Sequence, residues 1–173
     1  MSHIELIGVS GPVLSPTQRQ LIEGCVAVAV SRRYAPLVAD CPARPIPITP
    51  LGALFAQLAA ALEKGDVAVL ASGDPLFYGI GRSLIDRFGA ERVRVHPAMS
   101  SVQLACARFG QPWDNLAMVS LHGRPGDDVA GRVLRHQRVL LLTDEPNSPD
   151  RVAAGLLAAL RACDDRERMA AIR

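Results

Sequence analysis

The chain predicts an α/β fold built on a mainly parallel sheet. Three observations carry that prediction. Short valine-rich apolar runs, such as Val26–Val30 and Val67–Leu70, alternate with segments whose apolar residues recur at helical spacing. Ser15-Pro16, Thr49-Pro50 and Ser148-Pro149 each set a capping residue before a proline, a signal that opens helices. The stretch Ala71-Ser72-Gly73-Asp74-Pro75-Leu76-Phe77-Tyr78-Gly79-Ile80-Gly81 stands where one apolar run stops and a helical pattern begins, as a strand-to-helix loop should.

Taken in order, Ile4-Glu5-Leu6-Ile7-Gly8-Val9 reads as the first strand, broken by Gly8, Gly11 and Pro12. Ser15 and Pro16 open a helix through Leu21 and Ile22. Val26–Val30 is the second strand, with Ser31-Arg32-Arg33 at its end. Residues 35–50 are proline-rich and read as irregular. Leu51, Leu54, Leu58 and Leu62 mark a helix capped by Thr49 and stopped by Gly65. The Val67 strand and the Gly-Asp-Pro loop follow, then a helix through Leu84 and Phe88 ending near Gly89, then a strand at Val93–His96. Ser100 or Ser101 caps a helix through Val102, Leu104 and Phe109, closed by Gly110. Met118–Leu121 is a strand followed by His122-Gly123-Arg124. Arg138–Leu142 is the next strand, with Thr143-Asp144 at its tip, and Ser148-Pro149 opens the last helix. The expected domains are 1–97 and 98–173. The strands are few for two complete sheets, so the second domain is expected to be cut short and the natural chain to continue past Arg173.

Composition narrows the function classes. Aromatic residues make up 4% of the 173 residues, so packing must rest on Ala, Leu and Val. A formal net charge of +2 argues against a general nucleic-acid binder. No apolar run reaches bilayer-spanning length, and Met1-Ser2-His3-Ile4-Glu5 does not read as a signal peptide. Cys25, Cys41, Cys106 and Cys163 are too scattered for a zinc site or redox pair and read as small thiols in a reducing cytosol. The glycine fingerprints of dinucleotide and ATP sites are absent, as is a Gly-x-Ser-x-Gly elbow.

In an open α/β sheet, ligands bind at the carboxyl ends of strands. Ser72-Gly73-Asp74-Pro75 therefore reads as a ligand loop built mainly from backbone, with an ordinary turn as the alternative. Asp74 either faces a ligand or caps the helix that follows. Tyr78 either stacks on a ligand or fills the core, and Trp113 is expected to plug an apolar gap between the two halves.

Five collinear segments, Ala71–Gly79, Pro97–Ala105, Phe109–Trp113, Val119–Arg124 and Leu141–Asp144, together resemble the tetrapyrrole (corrin/porphyrin) methylase family. The likeness is strongest to its branch that methylates C-5 of precorrin-6Y in cobalamin biosynthesis. The blocks Ser100-Ser101-Val102-Gln103 and Ser120-Leu121-His122-Gly123-Arg124 carry that branch. The resemblance implies two α/β domains flanking a cleft, a homodimer in the cytoplasm, and S-adenosylmethionine as methyl donor. It implies donor contacts at Pro12, Ser72, Gly73, Asp74, Phe77, Ser100, Ser101, Leu142 and Thr143. The first loop, Gly8–Ser15, is shorter than the family's usual glycine-proline-glycine form and carries no acid.

Methyl transfer from a sulfonium to an electron-rich carbon needs donor and acceptor held in contact and water kept out; it calls for no metal. The implied macrocycle carries many carboxylates, which guanidinium groups suit. Arg32, Arg33, Arg82 and Arg124 are the candidates; each alone reads more readily as a solvated surface charge, and their shared place at carboxyl ends of strands is what keeps them. His122 is the candidate for moving a proton, with helix capping or packing as the alternative; Asp74, the other catalytic candidate, would hydrogen-bond the donor or favour its positive charge. Two rival readings stay open: the same fold with another acceptor (a different tetrapyrrole, ribosomal RNA or a protein), and a non-catalytic ligand-binding module.

Overall fold

The computed structural model describes residues 1–121 and 129–171, with side chains to Cys163. The chain falls into two compact units, Met1–Ala105 and Cys106–Arg173.

Unit 1 begins with β1 (Ile4–Val9), α1 (Pro16–Glu23) and β2 (Ala27–Val30). Ser15 caps α1 in a reciprocal capping box: its hydroxyl accepts from the Gln18 amide while the Gln18 side chain accepts from the Ser15 amide. The span expected to be irregular holds a 3₁₀ turn at Ala35–Val38 and a strand, β3 (Arg44–Pro47). Prolines obscured that strand. Arg44 donates to the Val26 carbonyl, so by alternation the nitrogens of Pro45 and Pro47 face away from β2, where no donor is required.

Next come α2 (Leu51–Leu62), β4 (Val67–Ser72), α3 (Gly81–Phe88) and β5 (Val93–His96). Thr49 does not cap α2; Pro50 holds the cap position without a side-chain bond, and the Thr49–Pro50 peptide is cis. The helix ends at Leu62, before Gly65. Gly65 is instead close-packed: a Cβ there would meet Val26 Cγ1 at 2.8 Å.

The five strands are all parallel, in the order β3-β2-β4-β1-β5. Helices cover both faces. Ile4, Leu6, Ala29, Val67 and Val69 pack under α2 and α3 through Leu54, Leu58 and Leu84. Ile7, Val9, Val28 and Leu70 pack under α1 and the 3₁₀ turn through Ile22 and Val38. Strands buried on both faces explain the near-continuous apolar runs. Glu5 interrupts one of them, buried yet bonded to Arg94 Nη1 at 3.0 Å and His96 Nε2 at 2.6 Å on neighbouring β5.

The helix α4 (Ser101–Phe109) runs across the boundary between the units. Unit 2 continues with β6 (Ala117–Ser120), α5 (Val129–Val133), β7 (Val139–Leu142) and α6 (Pro149–Ala171). β6 and β7 form a parallel pair, and Arg138 braces the approach to them through Asn115, Gln111 and the Pro112 carbonyl. The five-residue α5 had no sequence signal, and the helix that Ser148-Pro149 opens runs on to Ala171 as α6. Trp113, expected to be plugged into apolar packing, is 46% exposed.

Candidate functional site

The chain leaves β1 through α1, on one face of the sheet, and leaves β4 through α3, on the other. Adjacent strands whose connections depart to opposite faces create a crevice beyond their carboxyl ends. The sequence puts glycine on both tips. Gly73, at φ +59°, takes a left-handed backbone that L side chains rarely adopt. Its amide donates to the Val9 carbonyl at 2.9 Å, and its carbonyl accepts from the Ala98 amide at 3.2 Å. The loop after β4 is thus tied to the loop after β5, passing over the end of β1. Gly8 lies beneath that tie: a Cβ there would stand 2.0 Å from the Gly73 oxygen and 2.6 Å from the Ala98 nitrogen. Gly8 is therefore required for this close approach, beyond breaking the strand and opening the first loop. A glycine inside an otherwise apolar strand was the available signal.

Ser100 joins the same cluster. A Cβ on Gly73 would lie 3.0 Å from Ser100 Cα and 3.3 Å from the Met99 carbonyl oxygen. Ser100, not Ser101, caps α4: its hydroxyl accepts from the Gln103 amide at 3.2 Å, and Gln103 Oε1 accepts from the Ser100 amide at 2.8 Å. Ser100 is buried and Ser101 exposed. Because Gly73 and Ser100 touch, nothing fits between them; together they make one continuous wall. Gly73 contributes shape, since both of its backbone groups are engaged.

The side chains around this wall have defined partners. Ser72 Oγ shares a 2.7 Å hydrogen bond with the hydroxyl of Tyr34, a buried residue just past β2. Asp74 does not cap α3, whose cap position belongs to Ile80 without a side-chain bond; its carboxylate accepts from the Leu76 amide at 2.9 Å within its own loop. Phe77 is half-buried and meets Tyr78 edge to face, with ring centroids 4.9 Å apart. Tyr78 is no core residue: it is 49% exposed and holds a left-handed φ of +53°. Gly79 follows, where a Cβ would press on the Pro75 carbonyl oxygen at 2.5 Å. Pro12 is exposed in the loop after β1.

The arginine candidates divide. Arg32 and Arg33 are exposed past the carboxyl end of β2, with the Arg33 guanidinium 5.2 Å from the Tyr34 ring centre. Arg82 lies one residue into α3 and pairs with Asp86 at 3.7 Å on the helix surface, so a solvated charge describes it. Leu142 and Thr143 sit at the end of β7 in unit 2, both half-buried; the Leu142 carbonyl accepts from the Leu121 amide. His122 and Arg124 lie outside the described residues. Sequence reading also missed Tyr34, whose only signal was its place at a strand's carboxyl end beside two arginines.

At the opposite end of the strands, Glu5, Thr17, Gln20, Leu21, Gly24, Cys25, Asp66 and Arg94 line an open cavity of about 470 Å³. It sits away from the glycine wall and shares no residue with it. Burial, with the Glu5 and Asp66 carboxylates adding to it, pushes the Cys25 thiol up to about 12, so this cysteine stays protonated and unreactive. Its thiol donates to the Leu21 carbonyl. Among the described residues no group of His, Cys, Asp or Glu could hold a metal, and no helix is long and apolar enough to cross a membrane.

Comparison with known proteins converges on one family. The cobalt-precorrin-7 C(5)-methyltransferase of Salmonella typhimurium is 42% identical over 108 residues, 62% of this chain and 52% of that protein. The decarboxylating precorrin-6Y C(5,15)-methyltransferase of Sinorhizobium is 41% identical over 54% of this chain and 22% of its own length. The chain thus spans about half or less of these relatives' length. The crystal structure of a precorrin-6Y methylase from Archaeoglobus fulgidus superposes with a TM-score of 0.64 at 27% identity, covering 88% of this chain and 78% of that one. A uroporphyrin III C-methyltransferase from Thermus thermophilus, 21% identical with a TM-score of 0.63 over 91% of this chain and 76% of its own, shares the fold. The profile described as Tetrapyrrole (Corrin/Porphyrin) Methylases matches residues 13–173, most of the chain. With that match added to the parallel sheet and its glycine-knit tips, the chain belongs to the tetrapyrrole methylase family.

Proposed function

We propose that the chain is an S-adenosylmethionine-dependent C-methyltransferase that methylates C-5 of a precorrin or cobalt-precorrin macrocycle in cobalamin biosynthesis. The observation that carries this reading is the knot of strand tips, with Gly8 under the Gly73–Ala98 hydrogen bond and Ser100 against Gly73, in a chain 42% identical over 108 residues to a C(5)-methyltransferase.

The residues fit such a donor. A wall stripped of side chains at Gly8 and Gly73 lets a compact zwitterion approach the backbone closely. Ser72, with its hydroxyl oriented by Tyr34, and Phe77 would offer a polar and an apolar contact, and the Asp74 carboxylate would favour a positive charge nearby. Pro12 and Ser101 would border the site, and Leu142 and Thr143 are the further candidate donor contacts. The donor supplies the methyl group; the chain's own work is to align the donor with its acceptor and exclude water, worth several powers of ten in rate when the geometry is right. Arg32 and Arg33 are the better placed carboxylate clamps, with Arg124 and Arg82 as further candidates. His122 is the candidate for taking up the proton released at the acceptor. A homodimer, a cytosolic setting consistent with four free cysteines, and no nucleic-acid partner complete the reading.

Titration calorimetry of the full chain with S-adenosylhomocysteine tests it. Saturable one-site binding is expected; no heat of binding at millimolar ligand would overturn it.

A further inference from the structure

The side-chain amide of Gln18, in the first turn of α1, spans the first loop. Its Oε1 accepts from the Ser15 amide at 2.8 Å, and its Nε2 donates to the Gly8 carbonyl at 2.7 Å. That orientation is forced, because a backbone amide only donates and a carbonyl only accepts. One half-buried side chain thus closes residues 8–15 at both ends. A capping box needs only the two bonds between Ser15 and Gln18; the bond to Gly8 is additional. It replaces a sheet bond. Successive carbonyls of a strand point to alternate neighbours. On β1 the His3 and Val9 carbonyls face β4, accepting from the Val67 and Gly73 amides, so the Gly8 carbonyl faces β5. The β1–β5 ladder ends at Ile7–His96. One step further, Pro97 would stand opposite Gly8, and the Ala98 amide would be due at the Gly8 carbonyl. That amide is committed to the Gly73 carbonyl instead, at 3.2 Å. Gly8 is buried, so its carbonyl needs a partner inside the fold, and α1 supplies one.

We propose that Gln18 is a positioning residue of the methyl-donor site. By taking the Gly8 carbonyl it leaves the Ala98 amide to Gly73, the bond that ties the loops after β4 and β5 into one wall. By holding both Gly8 and Ser15 it also fixes the loop that carries Pro12. It acts through the backbone rather than by touching the donor. The inference rests on the methylase reading above, which gives this wall its ligand.

Three variants of the full chain test it, by calorimetry with S-adenosylhomocysteine and by urea unfolding. Gln18→Met keeps the length of the side chain and loses both of its side-chain bonds. Donor affinity should fall about tenfold, the scale of a buried carbonyl left without a partner. Gln18→Glu keeps an acceptor for the Ser15 amide. Ionised at about pH 8, it sets a carboxylate oxygen against the Gly8 carbonyl and should bind the donor about tenfold more weakly than the parent. Protonated at about pH 4.5, its hydroxyl can donate to that carbonyl, and affinity should return to within about threefold of the parent at the same pH. Ser15→Ala breaks the helix cap and leaves the Gly8 bond in place. Its urea midpoint should fall while donor affinity stays within about twofold of the parent. A Gln18→Glu deficit that is equal at both pH values overturns the proposal. So does a loss of donor affinity in Ser15→Ala that matches Gln18→Met, which marks a helix-capping role. A parent that binds S-adenosylhomocysteine no better than Gln18→Met does overturns the assignment alone; a parent that does not bind it at all overturns the methylase reading as well.

Discussion

Close approach of backbone to backbone decides which single residues matter at the strand tips. Gly8 and Gly52 make the contrast. A methyl at Gly8 would overlap two backbone atoms that cannot move without undoing the Gly73–Ala98 tie, whereas a methyl at Gly52 on α2 meets nothing within 4 Å. Gly8→Ala should therefore cost about 3 kcal/mol in urea unfolding and abolish S-adenosylhomocysteine binding. Gly52→Ala should gain about 0.5 kcal/mol and leave binding alone. Tyr34→Phe removes one hydrogen bond to an exposed hydroxyl, so stability should fall by only about 0.5–1 kcal/mol; calorimetry should show the larger effect, a donor affinity several-fold weaker. Cys25 gives a pH signature. Its folded value, about 12, stands above the ordinary 9.0. The stabilisation it contributes is therefore complete below pH 9 and is lost as pH climbs toward 12, at up to about 1.4 kcal/mol per pH unit. Replacing Cys25 with Ala should flatten that alkaline limb in a plot of urea midpoint against pH. At this scale the sequence announced Gly73 and Asp74 through their motif. It was silent on Gly8 and Tyr34, because their importance comes from segments that meet only after folding.

Secondary-structure elements were legible in proportion to how local their causes are. Ser15 before Pro16 forecast α1 because a capping box is completed within four residues. The same logic forecast α4 while leaving Ser100 and Ser101 undecided, and the structure decides it. Ser100→Ala should cost about 1 kcal/mol and loosen the turn against Gly73, while Ser101→Ala should change stability by less than about 0.5 kcal/mol. Differential scanning calorimetry of the pair separates them. Thr49-Pro50 shows the limit of such signals, because the turn before α2 leaves Thr49 without a capping bond. β3 was missed for a non-local reason: prolines are excluded from a strand only where their nitrogen must donate, and which side faces β2 is invisible before the sheet is assembled. His96 finds its partner only when β5 comes to lie beside β1 and its ring meets Glu5.

At the level of the whole molecule, the sequence predicted a parallel α/β architecture in two parts, and the family match agrees with it. The strand order β3-β2-β4-β1-β5 was not legible, since order follows from which helices cover which face. The two units differ in self-sufficiency. Unit 1 encloses a five-stranded sheet between two helical layers, whereas unit 2 has a single pair of strands among the described residues. A pair of strands is marginal alone. A fragment spanning residues 1–110 should unfold cooperatively in urea by circular dichroism, and a fragment spanning 111–173 should show no such transition. The outer rims of the unit 1 sheet carry a last consequence. One rim is β3, whose outward positions are prolines that offer no donor; the other is β5, which displays the exposed charge of Arg94. Proline and charge on lateral strands are how sheets refuse to recruit foreign strands or to stack into fibrils. Self-association of this unit is thereby steered toward side-chain surfaces and away from the addition of strands to its sheet.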